Sequence, residues 1–180
     1  MTAALTLFVD AAATCRWVPI ARAALHIKQL AFSERPLDLA RGDHHTADFV
    51  ARSLTASVPA LEHDGRIITE SLAIAEYLAE NFPFPAHPRL FPADLGERAR
   101  ARQLMLWLRC AAPGPDALLT MATRALGDRP TVCSTYCIAD SDLALALAQA
   151  AGDGVRLPAA LAAMVAREQQ RIGWSATIRA

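Results

Sequence analysis

Between Phe82 and Ala93 the chain reads Phe-Pro-Phe-Pro-Ala-His-Pro-Arg-Leu-Phe-Pro-Ala, with four prolines. Proline fixes φ and removes a main-chain donor, so neither a helix nor a central strand can run through this stretch. It divides the chain into two parts with different patterning. We expect a first domain over 1–82, a linker over 83–93 and a second domain over 94–180.

The first part alternates strand and helix signals. Leu5 to Val9 is a short β-rich run, and Ile20 to Leu30 carries apolar residues near helical spacing. Gln29 to Asp38 offers a second strand around a turn at Arg35-Pro36, and Asp43 to Ser53 a loop with a short helix. Asp64-Gly65 between Pro59–His63 and Arg66–Ile68 marks a tight hairpin. Ser71 to Asn81 then reads as an amphipathic helix, giving the order βαβαββα. Beyond the prolines strand signals nearly vanish. Helices are expected over Asp94–Cys110, Asp116–Leu126, Ile138–Ala150 and Pro158–Gly173, so the fold class is an α/β domain followed by an all-α domain.

Charge excludes one broad class of function. Eighteen basic residues balance 18 acidic ones, which leaves no electrostatic footprint for nucleic acid or an anionic membrane surface. No stretch reaches the roughly 18 apolar residues that a bilayer span needs, and the run before Asp10 makes a poor export signal. The four cysteines form no Cys-x-x-Cys pair and no metal-spaced cluster, so a reduced, cytoplasmic protein without a metal is expected.

Val58-Pro59-Ala60-Leu61, the Asp64-Gly65 turn and Thr69-Glu70-Ser71-Leu72-Ala73-Ile74-Ala75-Glu76-Tyr77-Leu78 resemble the glutathione-site signature of the glutathione transferases. Cys137-Ile138-Ala139-Asp140-Ser141-Asp142-Leu143-Ala144 resembles the capping-box helix of that family's second domain. The resemblance implies a thioredoxin-like first domain, a helical second domain, glutathione as co-substrate, a small hydrophobic electrophile, a homodimer and a detoxifying role. It also implies a cis Val58–Pro59 bond, so that the Val58 main chain grips the cysteinyl part of glutathione, an extended peptide suited to a backbone edge. Glu70 and Ser71, at a strand-to-helix junction, would take the γ-glutamyl ammonium and carboxylate. On their own, the same two residues also read as a helix cap and a charge near the helix dipole.

Cys15, in Ala13-Thr14-Cys15-Arg16-Trp17-Val18-Pro19, stands where the bound thiol would point. A related bacterial subgroup usually carries serine there, which would favour conjugation, whereas cysteine can form a mixed disulfide with glutathione. Helix-start N–H groups and Arg16 are expected to favour the thiolate. No second cysteine lies in the loop, so a redox cycle would need a second glutathione. A small buried apolar residue is the other reading of Cys15. His45 is the candidate for the glycyl carboxylate, with a solvated loop histidine as its alternative. Ser57 replaces the Lys, Arg or Gln that many members carry before Val-Pro.

Between the linker and the Ile138 helix only two helical segments are available, separated by Pro113-Gly114-Pro115. About half of the family's long helical pair is missing there, which shortens the second domain. The function read from the chain is glutathione-dependent: conjugation, or thiol exchange through Cys15, with peroxidase activity as a further possibility. A non-catalytic glutathione-transferase-like binding module and a monothiol oxidoreductase are the alternatives.

Overall fold

A computed structural model describes residues 4–172. Among them the chain forms two compact units, one ending at Pro88 and the other starting at Arg89, within the proline-rich stretch.

The first unit is built on a four-stranded sheet. Its strands are β1 (Leu5–Asp10), β2 (Phe32–Leu37), β3 (Ala60–His63) and β4 (Arg66–Thr69), in the spatial order β2-β1-β3-β4. β1 pairs parallel to β2 and antiparallel to β3, and β3 pairs antiparallel to β4. Helices α1 (Val18–Ile27), α2 (Ala47–Arg52) and α3 (Ser71–Asn81) complete the βαβαββα order. β1 is central and almost wholly buried, as its apolar run requires. Phe8 points to the face shared with Leu37, Phe49, Ala60 and Ile67, where its ring meets Phe49 edge-on at 5.3 Å. Leu7 alternates to the other face. That face is covered by α1 and α3, which pack together through small and branched side chains such as Ala21, Ala24, Leu25, Ile74 and Leu78.

Two local expectations need correction. No turn interrupts the second strand at Arg35-Pro36: β2 runs straight through it, with Pro36 opposite Val9. β2 is a sheet edge, where a missing N–H can face away from the ladder. Helix α1 starts at Val18, not Ile20, because Pro19 falls in the first turn, where its lack of an N–H leaves no bond unmade. The hairpin turn is as read: Asp64 and Gly65 both take positive φ, 51° and 75°, the geometry that matches strand twist.

Lys28 closes α1. Its side chain is 1% exposed, and Nζ donates to the carbonyl oxygen of Phe82 at the end of α3, 2.7 Å away. A cation there complements the C-terminal dipoles of both helices.

The second unit is helical: α4 (Leu95–Cys110), α5 (Pro115–Leu126), α6 (Ile138–Gly152) and α7 (Ala159–Ile172). Gly173, the expected end of the last helix, lies outside the described residues. α4 is capped by Asp94, which accepts the Glu97 N–H at 2.9 Å, and α5 begins on Pro115. α6 packs against α4, α5 and α7. Its start is pinned by Asp140, whose carboxylate accepts the N–H groups of Val132 (2.7 Å) and Cys137 (2.9 Å). No helix among the described residues is long and apolar enough to cross a membrane.

Candidate functional site

The loop from β1 to α1 is organised by a residue that the sequence pattern did not single out. Asp10 ends β1 and is 6% exposed. Its Oδ1 accepts the Ala12 N–H at 3.0 Å. Its Oδ2 accepts the Thr14 N–H at 2.8 Å, the Thr14 hydroxyl at 2.6 Å and the Cys15 N–H at 3.0 Å. Ala13, at φ 56°, lets the chain curl around the carboxylate. Burial works to raise the Asp10 pKa, but the bonds from Thr14 and from the Ala12 and Cys15 amides outweigh it and leave it lowered. The signal available in the sequence was a carboxylate closing an apolar strand just before small residues and a threonine, where Asp commonly binds its own backbone.

This loop delivers Cys15 to Val58. The half-buried Cys15 thiol donates to the Val58 carbonyl oxygen at 3.4 Å, across 43 residues of chain. The Val58–Pro59 bond is cis. Of the expected helix-start N–H groups, the amide of Cys15 itself goes to Asp10, and α1 begins three residues later. The Arg16 guanidinium lies over the Trp17 ring, 4.8 Å from its centroid. Two of the other cysteines differ in kind, while Cys110 is exposed at the end of α4. Cys133 and Cys137 are fully buried, and burial pushes the Cys133 thiol up to about 11 and the Cys137 thiol up further, so neither is a nucleophile near neutral pH.

Glu70 and Ser71 occupy the junction of β4 and α3. Glu70, not Ser71, is the N-cap. It holds φ 70° and ψ 120°, and its side chain makes no capping bond. Ser71 is the first helical residue and is 3% exposed. The reading of Ser71 as a plain N-cap therefore fails. A non-glycine residue at this φ is strained, and such strain is concentrated at ligand-holding positions. The Ser57 hydroxyl donates to Glu70 Oε1 at 3.3 Å and is paired with the Thr55 hydroxyl at 2.7 Å. Ser57 thus joins the segment before Val58 to the Glu70 carboxylate, a link that sequence reasoning missed.

His45 is exposed on a single 3-10 turn, Asp43–His45, with its ring tilted 40° against that of His44 at 3.8 Å between centroids. The bonds joining Cys15 to Val58 and Ser57 to Glu70 do not extend to it. Four of the five candidates thus fall into two bonded or adjacent pairs at the ends of β1, β3 and β4, and His45 does not join them. Among the described residues no group of three or more His, Cys, Asp or Glu side chains could hold a metal ion.

Residues 14–81 match the family model described as "Glutathione S-transferase, N-terminal domain". The chain is similar to the crystal structure of a glutathione transferase homolog from Burkholderia gl BGR1 with bound glutathione. That match has a TM-score of 0.79 and 35% identity, and covers 93% of this chain and 91% of that one. It is also similar to glutathione S-transferase 1 of Dianthus caryophyllus, 39% identical over 98 residues, which is 54% of this chain and 42% of that protein. Maleylacetoacetate isomerase of Mus musculus is 38% identical over 93 residues, 51% of this chain and 41% of that protein. The chain thus spans less than half the length of these two curated relatives.

Proposed function

Because the chain belongs to the glutathione transferase family, we propose that its first unit binds glutathione and passes the bound sulfur through Cys15 in thiol-disulfide exchange. The single observation carrying this reading is the Cys15 thiol at 3.4 Å from the Val58 carbonyl oxygen. The Val58 main chain takes the cysteinyl residue of an extended peptide, which brings the peptide's sulfur to Cys15. Glu70 pairs with the γ-glutamyl ammonium, and the α3 start at Ser71 takes the γ-glutamyl carboxylate. His45 is the weaker part of this reading, as a contact to the glycyl carboxylate.

The reaction follows from the lone thiol in the loop. The Cys15 thiolate attacks the glutathionyl sulfur of a mixed disulfide, the S–S bond breaks, and the leaving thiolate takes up a proton. A second glutathione thiolate attacks the Cys15–glutathione disulfide, releasing glutathione disulfide and regenerating the Cys15 thiolate. The net change is one mixed disulfide reduced and one glutathione disulfide formed. Conjugation of glutathione to a small hydrophobic electrophile is the second reading, favoured by the transferase name of the relatives. The reading includes a cytoplasmic homodimer, in which the exposed Leu54, at 94%, and the half-exposed Val50 are candidate contacts. Sedimentation equilibrium tests the homodimer.

Titration with glutathione while following Trp17 fluorescence tests the binding. A saturable change is expected, weakened at least about tenfold in Glu70→Gln, since a lost charge-assisted bond costs about 1.5–3 kcal/mol. No saturable change, together with no retention on a glutathione resin, overturns the reading.

A further inference from the structure

Asp10 has no part in the exchange step. It is nonetheless a buried carboxylate, and a buried charge persists only where donors converge on it. Four do, and all of them come from residues 12–15. The carboxylate is anchored to the sheet: Asp10 pairs with Leu37 across the β1–β2 ladder, and the next amide, Ala11 N–H, donates to the Leu37 carbonyl at 2.9 Å. The loop carrying Cys15 is therefore tied to the end of β1 by four bonds to one side chain, beside the Ala13 N–H to the Asp10 carbonyl oxygen at 3.0 Å and the Cys15 thiol to Val58. With the Cys15 amide tied at 3.0 Å, the remaining freedom of the sulfur is chiefly its own χ1 rotation.

We propose that Asp10 is the positioning residue for Cys15: its carboxylate fixes the loop so that the sulfur meets the glutathionyl sulfur of a mixed disulfide held at Val58. This rests on the thiol-exchange reading above. Thr14 belongs to the same device. Its hydroxyl donates to Asp10 and is thereby turned from the incoming sulfur, which leaves Cys15 as the group that does sulfur chemistry in this loop.

The proposal separates kcat from binding. Val58, Glu70 and Ser71 lie on β3, β4, α3 and their approaches, none of which Asp10 bonds, so glutathione affinity is independent of it. Misplacing a reacting atom by about 1 Å costs on the order of 100-fold in rate. The test follows reduction of β-hydroxyethyl disulfide premixed with glutathione, with the glutathione Kd measured by calorimetry. Asp10→Ala is expected to lower kcat about 30- to 100-fold and leave Kd within about threefold. Asp10→Asn retains an acceptor oxygen for Thr14 and Cys15 and is expected to recover to within about tenfold of wild type.

A folded Asp10→Ala with wild-type kcat, or with its loss confined to Kd, overturns the proposal. So does an Asp10→Asn no better than Asp10→Ala. Should Asp10→Ala fail to fold, Asp10→Asn decides alone: a kcat lowered about three- to tenfold at unchanged Kd supports positioning, and wild-type kcat overturns it. Cys15→Ser, assayed in parallel, keeps the two levels apart. If it retains exchange, the reaction assigned to Cys15 fails. If it loses exchange while Asp10→Ala does not, the positioning role alone fails.

Discussion

Cys15→Ser reduces glutathione-dependent disulfide exchange by at least about 100-fold in kcat, because an alcohol cannot enter the sulfur-to-sulfur relay at all. The substitution is close to isosteric, and the serine hydroxyl can donate to the Val58 carbonyl as the thiol does. Fold and glutathione affinity therefore remain near wild type, and the loss appears in turnover. A hydroxyl at this place can also donate a hydrogen bond to the glutathione thiolate without being alkylated or oxidised. Conjugation to an electrophilic aryl halide is accordingly expected to rise in the same variant. Loss of exchange with a gain in conjugation identifies a cysteine-type site. Unchanged rates in both assays remove Cys15 from the chemistry.

The second large effect is on stability. Asp140→Ala strips the acceptor from two main-chain N–H groups, those of Val132 and Cys137, at a carboxylate only 1% exposed. No side chain of the variant replaces it, and each buried donor left unmet costs about 1–3 kcal/mol, so about 2–6 kcal/mol is expected from urea unfolding. Against a typical domain stability of about 5–15 kcal/mol, this brings the helical unit near its limit. The pH dependence has a definite sign. Burial, only partly offset by the Val132 and Cys137 amides, raises the Asp140 pKa from 3.8 to about 6. A raised carboxyl contributes most to stability below pH 3.8 and loses that contribution as pH rises through about 6. The stability advantage of wild type over Asp140→Asn is therefore widest below pH 3.8 and narrows between pH 3.8 and about 6. A constant gap across that range contradicts it.

Where the sequence was legible, one short segment carried the whole local decision. Asp64-Gly65 dictates a tight hairpin because the pair tolerates positive φ, and it lies where β3 meets β4. Pro115 and Asp94 set the starts of α5 and α4 in the same local way. The βαβαββα order and the helical second half followed from such signals. What escaped depended on chain paths. Pro36 looks like a turn residue until β2 is known to be an edge. Ser57 meets Glu70 only because the β3–β4 hairpin brings residues 13 apart face to face. Asp10 is the clearest case: its spacing to Cys15 is plain, but the loop's curl around the carboxylate through Ala13 is not written in any periodicity. His45 was placed by resemblance alone, in a segment whose path no local pattern controls.

Lys28 gives the first unit an unusual chemical simplicity. It is the one lysine of the sequence, and its amine lies sealed between the ends of α1 and α3. Acylating reagents meet that amine only when the two helix ends part. The rate of modification at Lys28 is then a clock for that local opening, read by mass spectrometry without introducing any label site.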